Sequence, residues 1–295
     1  MGRVRISSPD PDVRGCAYLN VTMGKSLIIL VNGHWNKILN KIGAAPKEGK
    51  EGYWNYFLSG RVKGFIDIAQ SFFGDSDYQS TPRYIDGSTQ WGGDENGSER
   101  KKRGYQYTLE NFKEITQNIG DKNVYIISHS EGCAFAAGVA KCLIEKGVKV
   151  GESIMLAADE GDEFNVEGNY PCYQLVAGWL SNYQEPNTLK QKTVFAVDPI
   201  VGDHMVKGVD KYGVFIQNGG SWKTVHGGIV SRGAFDLITQ LKIVRAMQMF
   251  TKDGSIVYYA EPDPNQIWHV INDRYMHNKR IDSFYHNHMK KNRKD

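Results

Sequence analysis

A serine between two small residues stands at the centre of Ser128–Gly132, which reads Ser-His-Ser-Glu-Gly. Before it, Val124–Ile127 is a short apolar run rich in β-branched residues, which favours a buried strand. After it, small and helix-compatible residues continue to Gly147, a typical helix stop. A serine on such a tight strand-to-helix turn exposes its hydroxyl, and the first helical amides point to where an oxyanion would form. The pattern predicts that Ser130 is a nucleophile, with an ordinary serine at a helix N-terminus as the alternative.

An aspartate and a histidine follow this serine, each after a strand-like run. Thr193–Val197 is apolar and ends at Asp198, and Gly213–Asn218 leads on to His226. A serine nucleophile needs an imidazole to take its proton and a carboxylate to orient that imidazole. A serine, an aspartate and a histidine after strand-like runs therefore fit nucleophilic catalysis.

Strand-like and helix-like segments alternate along the chain and would position these side chains. Strand signals cover residues 26–31, 83–86, 124–127, 152–159, 193–197, 213–218 and 255–260. Helical periodicity covers residues 53–73, 109–119, 132–146 and 233–250. The alternation predicts an α/β fold, with a mostly parallel central sheet and helices on both faces.

Two stretches interrupt this alternation. Residues 87–104 are rich in glycine and charge, which predicts a surface loop, with a mobile flap near the site as the alternative. Residues 160–192 form a long, partly aromatic insertion, which predicts a cap over a cleft, with packing on the domain itself as the alternative. We expect one main domain over residues 1–250 that contains this cap, followed by a C-terminal extension over residues 251–295.

Together these features resemble the α/β-hydrolase superfamily, at the level of its lipase-like members, over roughly Ser26–Phe250. The resemblance depends on the Ser128–Gly132 elbow, the Val31–Trp35 turn and Asp198–Val201 after a strand. Ser128 departs from the commonest elbow, which has glycine there, but it is also small. More loosely, the chain is similar to lipase-type domains of bacterial toxins and effectors, where a strand ending in Ala-Asp, and later Asp-Pro and His, follow such an elbow.

The resemblance implies a catalytic triad. Ser130 would be the nucleophile, His226 the base that takes its proton and later protonates the leaving group, and Asp198 the carboxylate that orients the imidazolium. Asp159 and Asp162, after the strand next to the elbow, are rival acids. The non-catalytic alternatives are a turn-forming aspartate before a proline and a polar loop histidine.

The resemblance also implies an oxyanion hole of two backbone amides. The Glu131 amide, directly after the nucleophile, would be one donor. The second would be the amide of His34 or Trp35, because the superfamily places a donor loop after this early strand, and Gly33 would let the backbone turn. The alternative is a plain strand-to-loop turn.

The expected function is that of a serine esterase or lipase-like hydrolase, which cleaves carboxylic esters through an acyl-enzyme without metal or organic cofactor. An apolar or lipid acyl group is expected from the resemblance and from the aromatic residues of 53–73 and 168–183. Amidases, thioesterases and phospholipases use the same three side chains. A different class remains as the alternative, a non-catalytic binding module on the same fold.

Length and composition limit the classes of protein to which the chain can belong. The chain has 295 residues with 40% hydrophobic content, and no apolar run approaches the length of about 20 residues that spans a bilayer. Four cysteines show neither metal spacing nor a disulfide framework. The first twelve residues lack the apolar core of a secretory signal. A cytoplasmic location is the default expectation, although an effector exported by a dedicated machine would have the same sequence features.

The basic charge is concentrated at the C-terminus. The formal net charge is +3, and residues 279–295 carry six basic and two acidic side chains. We expect this tail to be solvated, and peripheral contact with a membrane surface is the alternative. Nucleic acid is not an expected partner. The C-terminal region contains four histidines, for which a metal site is an alternative: His269, His277, His286 and His288. Their weakly patterned surroundings favour no metal.

Overall fold

Strands alternate with helices along the chain in a computed structural model, which describes residues 26–41, 45–58, 64–74, 81–89, 95–184, 191–198, 206–218, 224–243, 248–252 and 255–260. The strands are β1 (Ser26–Asn32), β2 (Arg83–Asp86), β3 (Asn123–His129), β4 (Val150–Leu156), β5 (Cys172–Gln184), β6 (Gln191–Val197), β7 (Lys211–Asn218), β8 (Gln248–Lys252) and β9 (Ser255–Ala260). The helices are α1 (Lys37–Asn40), α2 (Lys50–Leu58), α3 (Phe65–Phe72), α4 (Gly97–Glu110), α5 (Phe112–Ile115), α6 (Gly132–Glu145), α7 (Val225–Gly228) and α8 (Arg232–Ile243).

One sheet contains the nine strands of the described residues, and β6 pairs with β5 outside the linear order of the other eight. Its order is β2-β1-β3-β4-β5-β7-β9-β8, and the first six strands of this order run parallel to one another. Strands β9 and β8 extend one side as an antiparallel pair. Parallel strands place their carboxyl ends on one edge, where α/β proteins bind ligands at points of changing strand order. Here β3 lies in the middle, between β1 and β4.

Helices cover both faces of the sheet. Alternate residues of β1 point to opposite faces: Ile29 packs against α6, and Leu30 packs in the cluster that contains α2, α3 and α8. Strand β1 and most of β3 are thus shielded from solvent on both sides, which explains their largely apolar sequences. The predicted α/β class, with a mostly parallel sheet between two helical layers, is confirmed.

Several predicted helix bounds are wrong. The single helix predicted over residues 53–73 is not observed as one element, because α2 ends at Leu58 and α3 begins at Phe65, directly after Gly64 with its φ of +31°. Residues 97–104 belong to α4, which begins with a capping box made by Asn96 and Glu99, so the predicted loop is too long. Gly104 and Gly138 allow α4 and α6 to pack backbone against backbone, since a Cβ at either would overlap the other helix. The helix predicted over 233–250 ends at Ile243, and β8 begins at Gln248.

The predicted cap over residues 160–192 is wrong for Cys172–Gln184. This segment is strand β5, which pairs in parallel with β4 and β7 inside the sheet. Its apolar residues 175–177 are buried because helices cover both faces there. Beyond the end of β4, β5 pairs with the antiparallel strand β6, which brings the chain back to the carboxyl edge. Residues 185–190 of the predicted cap lie outside the described residues.

The predicted domain boundary at residue 250 falls inside β8, and β9 pairs with β7 of the main sheet. The basic tail and its four histidines lie outside the described residues. Within the described ranges, each helix is too short or too polar to cross a bilayer.

Candidate active site

Ser130 stands on a sharp turn between β3 and α6. Its φ is +56°, in the left-handed region that residues other than glycine rarely adopt. Strand β3 ends at His129 and α6 begins at Gly132, which leaves only Ser130 and Glu131 between them. The Ser130 amide donates to the carbonyl oxygen of Leu156 at the end of β4, with an N···O distance of 3.0 Å. The serine is therefore held in a strained conformation at the carboxyl edge of the sheet.

Small residues on both sides of Ser130 let this turn pack closely. A Cβ at Gly132 would lie 2.5 Å from the carbonyl oxygen of Asn32, the last residue of β1. Ser128 is fully buried, and its hydroxyl donates to the carbonyl oxygen of Ile154 at 3.4 Å. A serine in place of the first glycine of the motif therefore fits this turn, because a backbone acceptor satisfies its hydroxyl.

The turn after β1 lies directly against the elbow. A Cβ at Gly33 would be 2.7 Å from the carbonyl oxygen of His129 and 3.1 Å from the amide nitrogen of Glu131. That amide lies at the N-terminus of α6, where the helix dipole favours negative charge. His34 and Trp35 follow and are half-buried, and within the described ranges neither amide donates to a backbone carbonyl. The two segments predicted to supply oxyanion donors are therefore in contact.

Asp86, at the end of β2, anchors this turn. Its Oδ1 accepts from the side-chain amide of Asn32 at 2.8 Å, and its Oδ2 accepts from the indole N–H of Trp35 at 2.9 Å. Asn32 is fully buried and also accepts from the backbone N–H of Lys50 at 2.7 Å. Asn32 and Asp86 are register partners of β1 and β2, so the sheet itself brings them together.

His226 and Asp198 form a hydrogen-bonded pair. His226 Nδ1 donates to Asp198 Oδ2 with an N···O distance of 2.6 Å. The aspartate side chain is fully buried, whereas the histidine side chain is 16% exposed. Asp198 directly follows β6, and its amide donates to the carbonyl oxygen of Ala177 in β5 at 2.9 Å. This arrangement fixes the tautomer of His226 and leaves Nε2 to accept a proton.

Ser130 and His226 are linked through His129, the residue that precedes the serine. His129 Nε2 donates to the backbone carbonyl of His226 at 2.8 Å, and the two ring centroids are 4.7 Å apart. Ser130 is 4% exposed. Among the described residues, no hydrogen bond joins the Ser130 hydroxyl to the His226 ring, and such bonds commonly tighten only when substrate binds. Ser130 nevertheless lies directly after the histidine that contacts His226, and His226 is bonded to Asp198.

The rival acids lie differently. Asp159 Oδ1 accepts from the backbone N–H of Glu160 at 3.0 Å and so closes the turn after β4. Asp162 is exposed. The carboxylate that the structure places on His226 Nδ1 is that of Asp198.

A buried arginine draws the Glu131 side chain away from the helix N-terminus. Arg100 is 2% exposed, and its guanidinium lies 3.1 Å from the Glu131 carboxylate and 3.4 Å from that of Glu160. Glu131 therefore does not cap α6 with its side chain. Burial raises the pKa of Glu160 to about 7, against the opposing charge of Arg100. Among the residues that the structure describes, no side chain therefore caps the N-terminus of α6 beside Ser130, where the helix dipole favours negative charge.

Tyr53 and His129 form a buried polar pair beneath the site. The Tyr53 hydroxyl and His129 Nδ1 are hydrogen-bonded, and both side chains are at most 1% exposed. Burial, assisted by the charge of His226, holds the pKa of His129 well below its usual range. Burial also raises the pKa of Tyr53 well above its usual value. Both side chains are therefore neutral near pH 7.

The sequence interpretation did not identify Asn32, Asp86, Tyr53, Arg100 or His129 as parts of the site. A signal existed for the first two, because each ends a buried strand and neighbouring parallel strands end at the same edge. No local signal pairs Tyr53 with His129, which are 76 residues apart and meet only because α2 packs on this face.

No family model matches the chain, and no curated protein matches it. Among solved structures, the chain is similar to phospholipase PlaB from Legionella pneumophila, solved in complex with thio-NAD, with a TM-score of 0.29 and 10% sequence identity. The alignment covers 80% of this chain and 67% of that chain. A similarity of this size carries no weight for function, which is inferred below from the geometry of the chain's own residues.

Proposed function

We propose that the chain is a serine hydrolase that cleaves carboxylic esters through an acyl-enzyme intermediate. The observation that carries the proposal is the convergence of three features at one sheet edge. These are the strained Ser130, the hydrogen-bonded pair of His226 and Asp198, and the contact between the Gly33 turn and the Glu131 amide. Each feature has a separate duty in acyl transfer, and they come from four distant parts of the chain.

In the proposed reaction, the Ser130 hydroxyl attacks the ester carbonyl while His226 Nε2 takes its proton. The amide of Glu131 and the amide of His34 or Trp35 would bind the resulting oxyanion. The bond to the alcohol then breaks, and the imidazolium gives its proton to the leaving oxygen. Water, deprotonated by the same imidazole, finally attacks the acyl group on the serine and releases the acid.

The more specific part of the proposal is that the acyl group of the substrate is apolar. Where the structure describes these aromatic side chains, several pack in the core instead: Trp54 stacks on Phe65, and Phe65 contacts Phe235. The preference for lipid or other apolar esters therefore has no support from these side chains. Peripheral membrane contact through the basic tail stays a prediction.

Hydrolysis of p-nitrophenyl esters with acyl chains of increasing length tests both parts. The proposal expects release of p-nitrophenol by the wild type and its loss in Ser130→Ala. A rise of kcat/KM with chain length would support the apolar preference, and a fall would assign short acyl groups. Folded wild-type protein that is no more active than Ser130→Ala on every ester would contradict the proposal.

A binding module is the second candidate, and the low exposure of Ser130, at 4%, is the observation that favours it. Reaction with a fluorophosphonate probe distinguishes the two candidates. A hydrolase forms a covalent adduct with the probe, because its serine is activated, whereas a scaffold with a covered serine does not.

A further inference from the structure

A continuous set of hydrogen bonds connects the turn after β1 to α7, the helix that carries His226. The backbone of Gly33 hydrogen-bonds the Tyr53 hydroxyl, and this hydroxyl is hydrogen-bonded to His129 Nδ1. His129 Nε2 is in turn bonded to the backbone carbonyl of His226 at 2.8 Å. Three segments of the proposed site are thereby joined: the turn after β1, the elbow and α7.

The chemistry of the groups fixes the direction of each bond. A carbonyl oxygen only accepts, so His129 Nε2 carries the hydrogen. The neutral ring then accepts at Nδ1, and the Tyr53 hydroxyl must donate there. The oxygen of that hydroxyl is left to accept from the Gly33 N–H. Every polar atom of the two side chains thus takes part in a hydrogen bond, as buried polar atoms require.

We infer that Tyr53 and His129 are positioning residues for catalysis, which hold the backbone of His226 and the Gly33 turn in one fixed relation to Ser130. The inference depends on the proposed function. An apolar pair would fill the same space without the desolvation of three polar groups. The polar pair instead bonds to backbone atoms of the two loops that must align with the serine, and reactions of this kind are sensitive to misplacement on the scale of 1 Å.

Two substitutions of His129 separate its two hydrogen bonds. The amide of asparagine reaches only the position of Nδ1, so His129→Asn can keep the bond to Tyr53 and loses the one to His226. The amide of glutamine reaches the position of Nε2, so His129→Gln can keep the bond to His226. We expect His129→Asn to lower kcat by up to about 100-fold with little change in KM, and His129→Gln to recover most of that loss.

Tyr53→Phe provides a second test that keeps the aromatic ring in the core. It removes the anchor of the Gly33 N–H and of His129 Nδ1, and a fall in kcat of at least about 10-fold is expected from displaced catalytic groups. Tyr170→Phe is the matched control, because the Tyr170 hydroxyl is buried without a hydrogen-bond partner among the described residues. This control should retain wild-type kcat and KM.

The measurements are kcat and KM on a p-nitrophenyl ester, with the thermal unfolding midpoint of each variant. The inference is overturned if Tyr53→Phe, or folded His129→Asn, keeps kcat within about 3-fold of wild type, well short of the expected loss. It is also overturned if His129→Gln is as impaired as His129→Asn. These results require an active wild type, so they leave the proposed function intact. An inactive wild type that no fluorophosphonate labels would remove the proposed function, and the inference with it.

Discussion

Gly33 packs directly against Ser130: a Cβ at position 33 would lie only 2.6 Å from the Cβ of the serine. Real Cβ atoms do not approach this closely, so any other residue at 33 must displace the turn or the elbow. The close approach of the two chain segments that we expect to bind an oxyanion therefore requires a residue without a Cβ at position 33. The contact explains why the Asn-Gly-His-Trp turn has glycine at this position.

Gly33→Ala should therefore lower kcat/KM by about 100-fold, as expected for the loss of one oxyanion donor. Gly120→Ala is the control. Gly120 has φ +51° and open space around it, so alanine there should cost about 1 kcal/mol of unfolding free energy without changing kcat. Ester kinetics and urea unfolding of both variants check the prediction, and wild-type activity in Gly33→Ala would refute it.

The strain at Ser130 predicts an inverted stability order for two inactive variants. Glycine adopts φ +56° without the steric cost that a Cβ imposes, whereas alanine keeps that cost. Ser130→Gly should unfold with a free energy about 1 kcal/mol higher than Ser130→Ala. Urea denaturation at one pH measures the difference. Equal stability of the two variants would mean that the elbow is not strained.

Asp198 should be essential to the rate and Asp159 should not. Asp198→Asn keeps the shape of the side chain but favours the wrong tautomer of His226, and kcat should fall by about 10⁴-fold. Asp159→Asn keeps an oxygen that can accept from the Glu160 amide and should stay close to wild type. If Asp159→Asn caused the larger loss of kcat, the assignment of the acid would be reversed.

Burial of neutral His129 predicts that acid destabilises the fold. Its pKa is lowered in the folded state, so below pH of about 6.5 the unfolded chain binds a proton that the folded chain does not. This contribution to stability is present above that pH and is lost as the pH falls, by at most about 1.4 kcal/mol per pH unit.

Urea unfolding of wild type and His129→Gln at pH 5 and pH 7 measures this effect. The wild type should lose more free energy between the two values than the variant does. Glu160 has the opposite dependence, because its pKa is raised to about 7, but it is common to both proteins and cancels in the comparison. An identical pH dependence in both proteins would show that His129 titrates normally.

The sheet and the elbow could be predicted because their signals are local. Short β-branched runs marked β1 and β3, and the change from strand to helix around Ser130 lies within a few residues. The same reasoning placed Arg83–Asp86 and Ser255–Ala260 as strands. It failed at Cys172–Gln184, because a strand buried on both faces and an apolar cap look alike in sequence.

The failures at glycines have one physical cause. Gly97 and Gly104 were interpreted as loop residues because glycine is frequent in turns, yet both lie in α4. Gly104 is needed where α4 crosses α6 against Gly138, and only the tertiary packing contains that information. The contacts that surround the site also could not be predicted locally. Arg100 and Tyr53 contact Glu131 and His129, which are far away in the sequence.

The measurement that tests the central claim most directly is peptide mass spectrometry after reaction with a fluorophosphonate. We predict one adduct per folded chain, located on Ser130, absent in Ser130→Ala and formed much more slowly in His226→Ala. No adduct on folded wild-type protein, or an adduct on another residue that persists in Ser130→Ala, would contradict the account.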